Sequence, residues 1–261
     1  MKFAATFLLA LTVVFPYYLL SNGTFYLPDD ALRSLSFSND ASLQNYFTHL
    51  FTHVGLQHLM ANLLPLVLFG LLFETTAGFI HVFAVFLGAG IFSSIVFTVL
   101  NPLVVLVGAS TGVAGLMVSA TVLKPKKGLV FLVATFFLLL VSQPLVSAYN
   151  DYQVQKLAQE KAALEKKVET LLAENKTEAA KAESQTLENV ETTLLQTTSG
   201  IRRERETPTD LLVHLLGALF GGVYVFAFLR RELNEGLEEF AEVGEFIFNK
   251  MPSSLKKKNK G

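Results

Sequence analysis

Apolar residues fall in long blocks along the chain. No Asp, Glu, Lys or Arg occurs in residues 3–28, 41–73, 75–123, 128–150 or 211–229. A transmembrane helix takes about 20 apolar residues, and two of the blocks are long enough for more than one apolar segment. The pattern predicts helical spans at about 3–20, 55–73, 79–99, 108–123, 128–147 and 209–229. The fourth is short for a full crossing. The first reads as a retained helix rather than a secretory signal, because the run is long, Pro16 interrupts its end and no A-x-A site follows. Residues 21–50 read as a polar loop with short amphipathic helices at the interface.

Composition narrows the class. The chain of 261 residues is 51% hydrophobic and 16% charged, with mean hydropathy +0.45, against roughly a quarter charged for a soluble domain. An all-α polytopic membrane protein follows. A soluble enzyme, a disordered chain and a secreted disulfide scaffold are excluded. The formal net charge of −1 offers no field to attract nucleic acid. With no Cys, thiolate nucleophiles and Cys-ligated zinc are ruled out. No Trp is available for the interfacial belt, so Tyr and Phe must supply it.

Charge placement sets the topology. Lys124, Lys126 and Lys127 sit in one short loop, and Arg230, Arg231 and Lys256 to Lys258 follow the last span. The positive-inside rule places both clusters in the cytoplasm. With six spans the N-terminus, carrying Lys2, then also lies inside, and 21–50, 100–107 and 148–208 face outward. The domain reading is a membrane core over 1–148, a helical insertion over 149–207, the sixth helix over 208–230 and a cytoplasmic tail over 231–261. A prokaryotic plasma membrane is the expected location.

The segment 148–208 is of another kind. Leu157, Leu164 and Leu171 recur every seven residues, with Val154 and Val168 at matching positions, as in a coiled coil of two to three heptads. A weaker stretch follows with Leu187, Val190, Leu194 and Leu195, a turn near Asn175 and a stop at Ser199-Gly200. This reads as a solvated helical hairpin, or else as an arm for a partner or for self-association through 152–198. Its linkers at 148–153 and 199–208 are expected to flex. The Asn-x-Thr tripeptides at Asn22 and Asn175 are too common by chance to carry weight.

Polar groups inside a membrane need a reason. His58 and Asn62 are four residues apart and share a helix face. Ser110 lies in Gly108-Ala109-Ser110-Thr111-Gly112 at the start of the short helix. His214, Gly217 and Gly221 share a face of the last span, which is expected to pack on the Gly108/Gly112 face and bring His214 near Ser110. A serine hydroxyl needs a base to become a nucleophile, neutral His supplies one near pH 7, and an oxyanion needs donors. The Ser110 N–H, His58 and Asn62 are candidates for that last role. Each residue alone also suits plain packing or structural hydrogen bonding. His53 fits a loop contact, and Asp210 fits a cap of the last helix. All of the group fall in the outer half of the bilayer, which independent packing residues would not need to do.

Phe51 to Asn62, then Gly70 to Glu74 with Gly78, then Gly108-Ala109-Ser110 continuing to Gly115-Leu116, then His214 to Gly217 with Gly221, resemble in order and spacing the rhomboid family of intramembrane serine proteases. The resemblance covers essentially 1–148 and 208–230. It implies a six-transmembrane-helix bundle that hydrolyses peptide bonds in or beside transmembrane segments of other membrane proteins. Ser110 would be the nucleophile and His214 the base, with His58, Asn62 and the Ser110 amide for the oxyanion. His53, Glu74, Gly108, Gly112, Gly217 and Gly221 would be supporting residues. The partners implied are transmembrane protein substrates and the lipid bilayer, with no nucleic acid; no cofactor or metal is implied. The sequence departs from the family pattern at Thr111, usually Gly, at Val213, usually small, in the lack of Trp in the first loop, and in the segment 148–208. A catalytically weak or inactive rhomboid-like client-binding protein is the alternative. A transporter is disfavoured, since no internal repeat and no midplane carboxylate is present.

Overall fold

The computed structural model describes residues 3–21, 23–207 and 210–250. Lys2, Asn22 and the run Lys256 to Lys258 lie outside the described residues. Within them the chain is helical, apart from two isolated β-bridges. The helices in order are α1 (Ala4–Leu20), α2 (Asp29–Leu35), α3 (Asn45–Phe51), α4 (Leu56–Ala77), α5 (Phe79–Leu100), α6 (Ser110–Leu123), α7 (Pro125–Ala173), α8 (Thr177–Glu206), α9 (Leu211–Phe228) and α10 (Arg230–Lys250).

Four of these, α4, α5, α7 and α9, are long and apolar enough to cross a membrane. The apolar α1 and α6 have 17 and 14 residues, or about 26 and 21 Å at 1.5 Å per residue. The chain is an integral membrane protein. Lipid-facing surface is visible along α7, where Val130, Val133, Phe136, Phe137 and Val141 are exposed with no core to cover them.

The short α6 lies at the centre and packs against α4, α5, α7 and α9. Its buried residues, Thr111, Gly112, Val113, Gly115, Leu116, Ser119, Ala120 and Leu123, run all round it. Small residues let neighbouring backbones approach. A Cβ on Gly112 would stand 2.5 Å from the Phe86 carbonyl oxygen of α5, and one on Gly115 2.6 Å from Ala89 Cβ. Toward α9 the contact runs through Thr111 and Gly115 rather than through the Gly108/Gly112 face expected from spacing. The Gly217 Cα abuts the Thr111 carbonyl, and Gly221 abuts that of Gly115. The two helices run parallel, so equal steps of four keep the register.

Glu74 lies inside α4, not at its end, and is buried. It accepts hydrogen bonds from the backbone N–H groups of Ala5 (3.0 Å) and Thr6 (2.9 Å) and from Thr6 Oγ1 (2.7 Å). The carboxylate thereby satisfies orphan donors of the first turn of α1.

Two corrections concern the segment after α6. First, α7 is one helix of 49 residues, so no flexible linker exists at 148–153. Composition turns polar there, but nothing breaks the helix. Second, α8 runs through Ser199-Gly200 to Glu206. Gly200 is a contact, since its Cβ would meet the Tyr26 ring at 2.4 Å. Between the two helices the chain reverses at Asn175, with φ 54°, a conformation Asn tolerates. The pair is antiparallel. Val154, Leu157, Leu164, Val168 and Leu171 are half-buried against α8, where Ala180, Val190 and Thr197 are buried. Leu195 faces outward, 68% exposed.

The tail is structured as well. α10 packs across the ends of α6 and α7, with Gly236 against the Val122 carbonyl, Lys126 Nζ on Glu242 at 2.6 Å and Lys124 Nζ on Glu235 at 3.8 Å.

Candidate active site

The segment preceding α6 is fixed at several points. Phe37 and Leu106 exchange backbone hydrogen bonds of 2.9 and 2.8 Å, joining the loop after α2 to the approach to Ser110. The Gly108 N–H donates to the His49 carbonyl at 2.8 Å. Gly108 has φ 110°, a region that favours glycine, and a Cβ there would lie 2.6 Å from His58 Nε2. The His58 imidazole thus lies directly over the turn that delivers Ser110.

Ser110 opens α6. As the first residue of a helix, its N–H has no carbonyl one turn back to bond and lies at the positive end of the helix dipole. The side chain is half-buried and makes no hydrogen bond among the described residues. Its neighbour Thr111 is buried, and Thr111 Oγ1 has no hydrogen-bond partner among the described residues.

His214 stands one turn N-terminal to Gly217 on α9, so the Gly217–Thr111 contact places it at the level of the Ser110 turn. Its Nδ1 is 2.6 Å from the Asp210 carbonyl oxygen, which suits a donating Nδ1–H and leaves Nε2 as the acceptor. Asp210 also caps α9, its Oδ1 accepting from the Leu212 N–H at 2.7 Å.

The other candidates divide. The His53 ring packs edge-on to His58, with centroids 5.1 Å apart, and its Nε2 is 3.5 Å from the Ala109 N–H, so it buttresses the turn. Asn62 is 2% exposed, and its Nδ2 donates to the His58 carbonyl at 2.7 Å. One of its donors is therefore spent on its own helix rather than aimed at the point it was expected to share with His58. Among the described residues no group of three His, Cys, Asp or Glu side chains is placed to hold a metal ion.

The sequence reading missed two residues. His49 bridges α3 and α5, with Nε2 2.8 Å from Ser94 Oγ and Nδ1 2.6 Å from the Asn45 carbonyl. Burial pushes its imidazole down to about 4. Glu204, near the end of α8, reaches the α4 N-terminus, where its Oε1 accepts from the His58 N–H at 2.7 Å. A half-buried carboxylate on the N–H of a distant helix is a signal only the folded chain exposes.

Residues 40–157 match the family model of the rhomboid domain, a stretch that holds His53, His58, Asn62, Glu74 and Ser110 and stops short of His214. Comparison with curated proteins and with solved structures gives no match.

Proposed function

As a rhomboid-family protein, by the domain at residues 40–157, this chain is, we propose, an intramembrane serine endopeptidase that cleaves transmembrane segments of other membrane proteins. The observation that supports this reading is the parallel packing of Gly217 on Thr111, which would bring His214 toward the helix start that carries Ser110. In this reading the Ser110 hydroxyl attacks the scissile carbonyl carbon and His214 Nε2 takes its proton. The tetrahedral oxyanion accepts from the Ser110 N–H and the His58 ring, with Asn62 contributing its remaining N–H. His214 then gives the proton to the leaving amine as the C–N bond breaks, and a water deprotonated by His214 hydrolyses the acyl ester on Ser110 and frees the hydroxyl. The Asp210 carbonyl holds the His214 tautomer, which is the task a third residue performs in a triad. Glu74, His53 and the glycines keep the helices in register.

The topology belongs to the same proposal. α1, α4, α5, α6, the first half of α7 and α9 form six spans, with both termini cytoplasmic. The Lys124–Glu235 and Lys126–Glu242 pairs gather the basic loop and the tail at one end of the bundle, and Ser110 and His214 lie at the other. The segment 149–207 is an extramembrane, coiled-coil-like insertion on the outer side, over the mouth of the site.

The test is cleavage of a single-span substrate by purified protein in bilayers. The parent cuts, and Ser110→Ala and His214→Ala do not while keeping the parental melting temperature. A second reading, a client-binding relative without turnover, is favoured by the lack of a Ser110–His214 hydrogen bond among the described residues. It gains the field if a fluorophosphonate fails to label Ser110 and no substrate is cut.

A further inference from the structure

The last turns of α8 grip two other parts of the molecule. Gln196 Nε2 donates to the Tyr26 carbonyl (2.8 Å) and to Thr24 Oγ1 (3.1 Å). Gly200 lets the helix backbone settle on the Tyr26 ring. Arg203 donates to the Leu27 carbonyl at 3.1 Å and pairs with Asp29. One residue further, Glu204 enters the gap between Tyr26 and the start of α4. A Cβ on Gly55 would stand 2.6 Å from Glu204 Cδ. One carboxylate oxygen takes the His58 N–H, and the other receives the Tyr26 hydroxyl at 3.3 Å.

The location gives this contact its meaning. α4 lacks a side-chain cap of its own, because Gly55 stands at its N-cap. Glu204 supplies that cap from 146 residues away, and the amide it holds belongs to the residue whose ring covers Gly108. Six residues beyond Glu204, Asp210 holds His214. One short stretch of chain therefore touches both the α4 and the α9 sides of the site.

We propose that Glu204 is a positioning residue: it fixes the first turn of α4, and with it the His58 ring, relative to Ser110. Its effect on turnover rests on the protease reading above, whereas the clamp itself does not. Tyr17 of α1, Tyr26 of the loop before α2, the His58 and Gln57 amides of α4 and Arg205 of α8 are the groups around it. Burial raises the Glu204 carboxyl above the usual carboxylate range, and the His58 N–H pulls the other way. Acid protonates it and weakens it as an acceptor.

Two measurements on the full chain in lipid nanodiscs test this. The first is amide hydrogen exchange over 55–60. Glu204→Ala speeds it about tenfold or more, the loss expected for a hydrogen bond to a charged group, and leaves the α5 peptides unchanged. Unchanged exchange over 55–60 overturns the clamp. The second is turnover. Glu204→Ala lowers kcat about tenfold with KM within about twofold. Glu204→Gln, which keeps one acceptor oxygen, recovers most of the loss and shifts the acid limb of the pH profile relative to the parent's. A parental kcat in Glu204→Ala overturns the positioning role. If Glu204→Ala does not fold, Glu204→Gln decides, and an acid limb identical to the parent's overturns it. A parent that neither cleaves nor reacts with a fluorophosphonate sinks the protease reading, and the exchange result still settles the clamp.

Discussion

The Cα of Gly217 sits against the carbonyl oxygen of Thr111 so closely that a Cβ would stand 2.3 Å from it. The oxygen belongs to helix backbone and cannot swing aside, so any side chain at 217 drives α6 and α9 apart. Gly217→Ala is expected to cost about 1–3 kcal/mol and to abolish cleavage by withdrawing His214. Gly222→Ala is the control, since its nearest atom would lie at 3.9 Å, and it leaves the melting temperature level or raises it. Equal loss in the two variants would refute the contact as the cause.

Glu74 joins α4 to the first turn of α1 through three donors. Glu74→Ala strands buried N–H groups and is expected to destabilise by about 2–3 kcal/mol. Faster amide exchange at Ala5 and Thr6 accompanies the loss. A variant as stable as the parent, with protected amides there, contradicts the assignment.

His49 makes stability depend on pH. Its folded-state value is depressed to about 4 from 6.5, so between those values the unfolded chain binds the extra proton and stability falls as pH drops. The contribution is complete above about 6.5 and is lost progressively down to about 4, with a ceiling on the order of 3 kcal/mol. Denaturant titrations at pH 7 and pH 5 measure it. His49→Gln should flatten the difference, and an unaltered pH slope in that variant would count against His49.

Thr111 carries a buried hydroxyl without a hydrogen-bond partner among the described residues. Thr111→Val removes the hydroxyl at nearly constant shape and is expected to leave stability unchanged or to raise it by about 1 kcal/mol. A fall of similar size would mean the hydroxyl is engaged in the folded protein. Calorimetry in detergent distinguishes the two.

Much of the bundle is readable from the chain, because lipid and water sort side chains by simple polarity. The spans expected at about 79–99 and 209–229 agree with the ends of α5 and α9 to within two residues. The heptad leucines gave the facing side of the α7–α8 pair, and the Asn175 turn was legible from conformational preference. Continuity of α7 was not, since hydropathy reports the medium around a helix and not whether the helix persists through a change of medium. Gly200 was read as a stop because glycine breaks isolated helices; its partner is a tyrosine 174 residues earlier in sequence. Glu204 stayed hidden for the same reason. In a segment crowded with both charges, no local pattern separates a solvated carboxylate from one that reaches into a distant cap. Spacing puts Asn62 on the same helix face as His58, but its bond to its own helix depends on a rotamer.

The unbroken α7 has a mechanical consequence. Its 49 residues measure about 73 Å, of which a bilayer core takes about 30 Å. In the proposed topology the rest stands clear of the surface as a stiff lever, and α8 is the return limb that leads back to its base. A tilt of about 5° moves the tip of such a rod by about 6 Å. Small angular changes of the helix in the lipid therefore become large excursions outside.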